Sequence, residues 1–205
     1  LVVIEFLMKG GPVMIPIGLC SVVALATFLE RLWALRRGAV VPRALCVEVI
    51  ERVKQGRLDD ARTLCKANTS AVGRVLDVAL ESPELPLERI QARVEDAGRR
   101  EAAELERYTG ILGTCASIGP LLGLLGTVQG MIQTFAAIEQ GAMGDMSRLA
   151  GGISVALITT FAGLSVGIPA LVADRWVLAK VDDLVLDLEE TTTAVVELLA
   201  ERPRA

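Results

Sequence analysis

Three stretches of this chain carry no charge, and the sequence between them is densely charged. Gly10–Leu29, Tyr108–Ile138 and Leu149–Ala173 run for 20, 31 and 25 residues without an Asp, Glu, Lys or Arg. Each reaches the ~20 residues that an apolar helix needs to cross a bilayer core. The pattern predicts an all-α polytopic membrane protein with three transmembrane helices, at 10–35, 108–138 and 149–173. Buried helices of a large soluble core are the alternative, but a soluble chain of 205 residues rarely carries three such runs.

The second and third runs are apolar all round but small on one side. Gly119, Gly123, Gly126 and Gly130 recur at spacings of four, three and four and share one helical face, with Ala116, Pro120, Thr127 and Thr134 on or beside it. Leu121, Leu122, Leu124, Leu125, Val128, Ile132 and Phe135 cover the remaining circumference. In the third run Gly152, Ala156, Thr160, Gly163 and Gly167 share a face, with Thr159 and Ala170 at its edge. Small faces let helix backbones approach closely in lipid, so both are expected to pack tightly against subunits or partners.

Outside the runs the pattern turns amphipathic. Residues 1–9 are too short to span and read as an interfacial segment; a signal peptide is disfavoured, since the basic start and small-residue cleavage pattern are missing. The insertion at 36–107 reads as helices at Ala44–Gln55, stopped by Gly56, at Leu58–Ala67, stopped by Asn68, and from a Ser70 cap to Leu80. After Pro83 and Pro86, a helix from Leu87 is expected to continue unbroken into the second span, a rod of about 75 Å at 1.5 Å per residue. Residues 139–148 form a short loop. In the tail at 174–205, Val177, Val181, Leu184, Leu188, Thr191, Val195 and Leu198 alternate spacings of four and three, a seam for bundling with copies of itself or with the insertion.

Charge placement orients the spans. Arg31, Arg36, Arg37 and Arg43 follow the first span, Arg93, Arg99, Arg100 and Arg107 precede the second, and Arg175 and Lys180 follow the third. The positive-inside rule then puts the N-terminus outside and the insertion and C-terminus in the cytoplasm. Trp33, Tyr108 and Trp176 fall at the same ends, as interfacial anchors do. The net charge of −4 comes from the tail, and no basic patch with interleaved aromatics suggests nucleic acid. With no histidine, and with Cys20, Cys46, Cys65 and Cys115 scattered, neither a metal site nor a cofactor is expected.

No ionisable residue lies inside the second or third run, and no catalytic motif is present, so an intramembrane enzyme is disfavoured. What those runs offer is hydroxyls. Most threonines and serines in such helices only bond backbone carbonyls. Thr127 and Thr160 differ in lying with the small faces, where a second body or a little water could enter. A polar path there still needs a titrating group, which a partner would have to bring.

The segments Leu112-Gly113-Thr114, Leu124-Leu125-Gly126-Thr127-Val128-x-Gly130-Met131, Gly152-Ile153-Ser154-x-Ala156-Leu157-Ile158-Thr159-Thr160-x-x-Gly163-Leu164 and Ile168-Pro169-Ala170 resemble the MotA/TolQ/ExbB ion-channel family, as does Glu30-Arg31-Leu32-Trp33. Three spans rather than four point to the ExbB/TolQ branch. The resemblance implies a homopentamer in the bacterial inner membrane, around a dimer of a single-span ExbD/TolR-like protein whose membrane aspartate carries the ion. It implies a motor turning ion-motive force into work on the cell envelope, with a TonB- or TolA-like periplasm-spanning client. It makes Thr127 and Thr160 pore-facing, with Thr159 nearby. Val155 stands where many members have glutamate, and Gln129 where they have tryptophan, which removes a possible second titrating group. A gliding-type motor of the same family and a non-conducting scaffold for cytoplasmic partners are the competing functions.

Overall fold

The computed structural model describes residues 9–139 and 146–201, which leaves the interfacial segment 1–8 and most of the loop 139–148 outside the described residues. No strand occurs among the described residues. The helices are α1 (Met14–Ala34), α2 (Arg37–Val40), α3 (Arg43–Lys54), α4 (Leu58–Ala67), α5 (Ala71–Leu80), α6 (Leu87–Glu106), α7 (Thr109–Glu139) and α8 (Met146–Ala200). The chain forms two compact units, Leu1–Glu30 with Tyr108–Trp176 and Arg31–Arg107 with Val177–Ala205.

The first unit is apolar on its outside. Large hydrophobic side chains point away from it, from 62% exposed at Leu121 to 75% at Ile15, with Leu19, Val22, Ile132, Leu157, Phe161 and Val172 between. A surface of this kind is stable against hydrocarbon or another apolar protein face, not against water. Three helices are long and apolar enough to cross a membrane, as the charge-free runs predict. Inside, Val13, Met14 and Ile17 at the start of α1 pack on Ala162 of α8, flanked by Leu122, Ile158 and Val166.

The second unit has an ordinary interior. Gly56 takes φ +86° and ends the turn after α3, a conformation that favours glycine. Ser70 caps α5, its Oγ accepting from the Gly73 N–H at 3.2 Å. Val49, Val53, Ala61, Cys65, Val72, Val75 and Leu76 form its core. The tail joins this unit through Val177, Val181, Leu184, Leu188 and Val195, and Arg37 pairs with Asp187, so of the two packings expected for the seam the one with the insertion is present. Past Leu188 the buried positions spread to Thr192, Val196 and Leu199, while Thr191 and Leu198 are only half-buried. A straight helix drifts about 20° per heptad, which moves a strict seven-residue seam off its partner.

Two features depart from the sequence pattern. The short helix α2 was not expected. More consequentially, α6 does not run on into α7: Arg107 turns to ψ 137° and Tyr108 adopts φ +68° before a new helix starts at Thr109. Tyr108 is the one non-glycine residue with positive φ among the described residues, a state that costs a bulky side chain roughly 1 kcal/mol or more. The break falls where the charged amphipathic pattern of α6 gives way to the uniformly apolar one of α7. The continuous rod is therefore replaced by two helices.

Charged side chains of the second unit pair locally: Arg62 of α4 reaches Asp77 at 3.0 Å and Glu81 at 3.1 Å, and Arg93 reaches Glu81 at 2.6 Å. Arg99 pairs with Glu95, and Arg74 with Glu101. The Arg62, Arg93 and Arg74 pairs are partly exposed and contribute about 1 kcal/mol or less each, while the Arg99 pair is open to solvent, which screens it. Burial beside Asp77 and Cys46 pushes the Cys65 thiol up to about 12. The folded state thus favours the thiol, so this contribution to stability is present below the ordinary value of 9.0 and is lost as pH rises toward about 12. At pH 8, iodoacetamide is expected to leave Cys65 unmodified in the folded protein and to label it after denaturation. Equal labelling in both states would contradict this burial.

Candidate functional site

Helices α7 and α8 meet along their glycine faces. A Cβ added at Gly163 would lie 2.5 Å from the Gly119 carbonyl and 2.8 Å from Gly123 Cα; one at Gly130 would lie 2.5 Å from the Gly152 carbonyl and 2.7 Å from Ala156 N. Gly126 receives the Thr159 side chain, and Gly152 receives Thr134. Gly119, Gly123, Gly126 and Gly130 are thus matched with Gly152, Ala156, Gly163 and Gly167 inside one chain. The two faces hold each other, where the sequence suggested subunit or partner packing. Pro120 has no N–H to offer the Ala116 carbonyl, and Gly167 of α8 lies against this spot, its added Cβ falling 3.2 Å from that oxygen and 2.6 Å from Pro120 Cδ.

This close approach brings two hydroxyls together. Thr127 Oγ1 and Thr160 Oγ1 are 2.7 Å apart, and both residues are half-buried. Thr127 Oγ1 also lies 3.1 Å from the Gly123 carbonyl, and Thr160 Oγ1 lies 3.0 Å from the Ala156 carbonyl. Each hydroxyl has one proton and two lone pairs. One hydroxyl donates to the other, which donates to its own helix carbonyl, so both protons are used and lone pairs remain. The pair can therefore accept a hydrogen bond from a third group without rearrangement. To donate to an anion it must release one of its internal bonds.

Thr159, expected nearby, is set differently. It is fully buried in the Gly126 notch, and its hydroxyl is placed to donate to the Val155 carbonyl at 2.9 Å or the Ala156 carbonyl at 3.0 Å. Thr134 donates to Gly130 at 3.0 Å, Ser117 to Gly113 at 2.9 Å and Thr114 to Gly110 at 2.7 Å, each within α7. Val155 is half-buried and lies on the side toward Gly11; Gln129 is half-buried on α7. Of the expected anchors, Trp176 is 45% exposed and meets Phe28 edge-on with ring centroids 6.0 Å apart. Trp33 lies in the other unit under the Arg36 guanidinium at 5.3 Å, and exposed Tyr108 occupies the α6–α7 break.

One residue that the sequence pattern placed at the start of the charged tail is buried in this unit. Asp174 is 7% exposed and lies over Gly113, where an added Cβ would meet its Oδ1 at 3.2 Å. Its spacing of 14 from Thr160, two heptads on the small face, was the available signal.

Comparison with known proteins bears on this helix pair. Residues 67–190, which include most of both helices, match the family described as the MotA/TolQ/ExbB proton channel family. The chain is 34% identical over 198 residues to the ExbB-like protein 1 of Synechocystis sp., covering 95% of this chain and 77% of that protein. It is 31% identical over 196 residues to the ExbB homolog of Methanothermobacter thermautotrophicus, covering 91% and 67%. It is 32% identical over 124 residues to the Tol-Pal system protein TolQ of Haemophilus influenzae, covering 58% and 54%.

Proposed function

Because this chain belongs to the MotA/TolQ/ExbB proton channel family, on the ExbB/TolQ branch, and is a multi-pass membrane protein of that channel and transport family, we propose that it is the ion-conducting stator subunit of an inner-membrane motor. In this reading it works with a single-span partner of the ExbD/TolR kind and converts ion-motive force into work on the cell envelope. The N-terminus lies outside, the C-terminus lies in the cytoplasm, and copies of the chain, five by family resemblance, surround the partner.

The observation that carries the proposal is the Thr127–Thr160 pair. It is a polar contact 2.7 Å long between two spans that offer no charge of their own over Tyr108–Ile138 and Leu149–Ala173. An ion cannot be held at this depth by two hydroxyls alone. A carboxyl group supplied by a partner completes the chemistry. Protonated, it donates to a free lone pair of the threonines; ionised, it draws a hydroxyl proton toward itself. The pair thus meets both states of the carrier while the glycine seam holds its geometry.

Purification of the full chain from its native membrane tests this reading. The expected result is recovery of a single-span protein with one membrane aspartate, whose asparagine variant still co-purifies but performs no work. Recovery of only soluble cytoplasmic proteins would instead make the chain a scaffold, docked through the second unit.

A further inference from the structure

We propose that α1 and α8 form a lipid-binding groove that takes an acyl chain of an anionic phospholipid and holds its phosphate at Arg175. The site depends on α1 and α8 being membrane spans and not on the threonine pair. The groove has a volume of about 770 Å³, with Leu25 and Phe28 of α1 on one side, Ile168, Val172 and Trp176 of α8 on the other, and Leu112 of α7 at its floor. On α8 the lining positions recur every three or four residues from Ser165 to Trp176, so they share one face. That face is about 17 Å long at 1.5 Å per residue, close to half of a ~30 Å hydrocarbon core. The groove therefore runs the depth of one leaflet.

Its walls are almost entirely carbon, the side-chain hydroxyls being those of Ser21 and Ser165. Leu25, Ile168 and Val172 are 58% to 64% exposed, so the trough stands open on the apolar outside of this unit. A flexible acyl chain fills such a trough, which water does not. At one end Phe28 and Trp176 meet edge-on with ring centroids 6.0 Å apart, and an indole favours the headgroup layer. Arg175 adjoins this end. Around the helix it falls within about 20° of Ile168 and about 60° of Val172, at the edge of the groove face. It is exposed and pairs with no carboxylate among the described residues. The acids nearby do not compete for it: Asp174 lies over Gly113 on the opposite side of α8, and Glu30 of α1 has a partner of its own. A guanidinium on a long apolar stem reaches the headgroups from this position, and its planar donors match phosphate oxygens two at a time. A zwitterionic headgroup brings its own cation to the site, whereas an acidic one brings net negative charge. Arg175 thus favours the acidic lipid.

The test reads Trp176 directly. In a Trp33→Phe background it is the single tryptophan of the chain, and phospholipids brominated on their acyl chains quench it when they occupy the groove. The full chain is placed in vesicles of mixed phosphatidylcholine and phosphatidylglycerol, with the bromines carried by one lipid or by the other. Brominated phosphatidylglycerol is expected to reach half-maximal quenching at about one fifth of the mole fraction that brominated phosphatidylcholine needs, the factor that one cation near the headgroups contributes. Arg175→Gln is expected to abolish that difference. Ala173→Leu, which fills the groove and keeps the guanidinium, is expected to abolish it too. Equal quenching by the two lipids in the parent protein would overturn the proposal, leaving an unselective lipid shell. Quenching by neither would overturn it in favour of a second copy seated on the groove. Both outcomes are read on the parent, so they stand whether or not either variant folds. A preference that survives Ala173→Leu would also overturn it, since Arg175 would then attract headgroups without an acyl-chain site.

Discussion

Gly163→Val is expected to cost the protein most of its folded population, with an effect of about 3 kcal/mol or more on stability. The Cβ would fall 2.5 Å from the Gly119 carbonyl, 2.8 Å from Gly123 Cα and 2.9 Å from Gly123 N. All three are backbone atoms of a helix and cannot rotate out of the way. The helices must separate by a large part of an ångström, and packing then weakens along the whole seam, because lipid offers no hydrophobic force to close the gap again. Gly18 of α1 provides the control. Nothing lies within 4 Å of a Cβ built there, so Gly18→Ala is expected to be neutral or to stabilise by up to about 1 kcal/mol through helix propensity. Thermal unfolding of the detergent-solubilised chain measures both. Equal behaviour of the two variants would show that the seam is not what holds α7 to α8.

Thr160→Val is expected to act in the opposite manner, sparing the fold and removing the function. Valine has nearly the same shape, and Thr127 keeps its acceptor in the Gly123 carbonyl at 3.1 Å, so stability should change by about 1 kcal/mol or less. The variant removes one of the two hydroxyls that meet the carrier. A lost hydrogen bond of about 1–2 kcal/mol to the ion-carrying group corresponds to roughly a tenfold fall in flux or more. Thr127→Val should behave alike, and Thr160→Ser should retain most activity. Thr159→Val separates this account from a general need for polar groups: its hydroxyl is spent on its own helix and is fully buried, so flux should persist. Unchanged motor output in both Thr127→Val and Thr160→Val would remove the pair from the ion path.

Much of this architecture was legible before any coordinates. Gly56, Asn68 and Ser70 end or begin helices through local backbone chemistry, and their boundaries emerged within a residue or two. The small faces of α7 and α8 were visible as spacings of three and four. What periodicity cannot tell is which face meets which. A glycine stripe satisfies a helix in the same chain as well as one in a neighbour, and the choice depends on loop length and the reach of backbone atoms. The Tyr108 break was invisible for a different reason, since positive φ in a tyrosine has no sequence signature and is stabilised by its surroundings. Asp174 was hidden by its charge: standing one residue beyond an apolar run, it reads as the first residue of a charged tail, and its spacing of 14 from Thr160 was the one signal of the burial seen over Gly113.

The most direct test of the central claim, that this chain supplies the wall of the path and a partner supplies the carrier, is proton entry into sealed vesicles containing the purified chain alone or with the single-span protein it binds. The account predicts negligible entry with the chain alone, robust entry with the partner, and none when the partner's membrane aspartate is replaced by asparagine. Robust entry through the chain alone would contradict it.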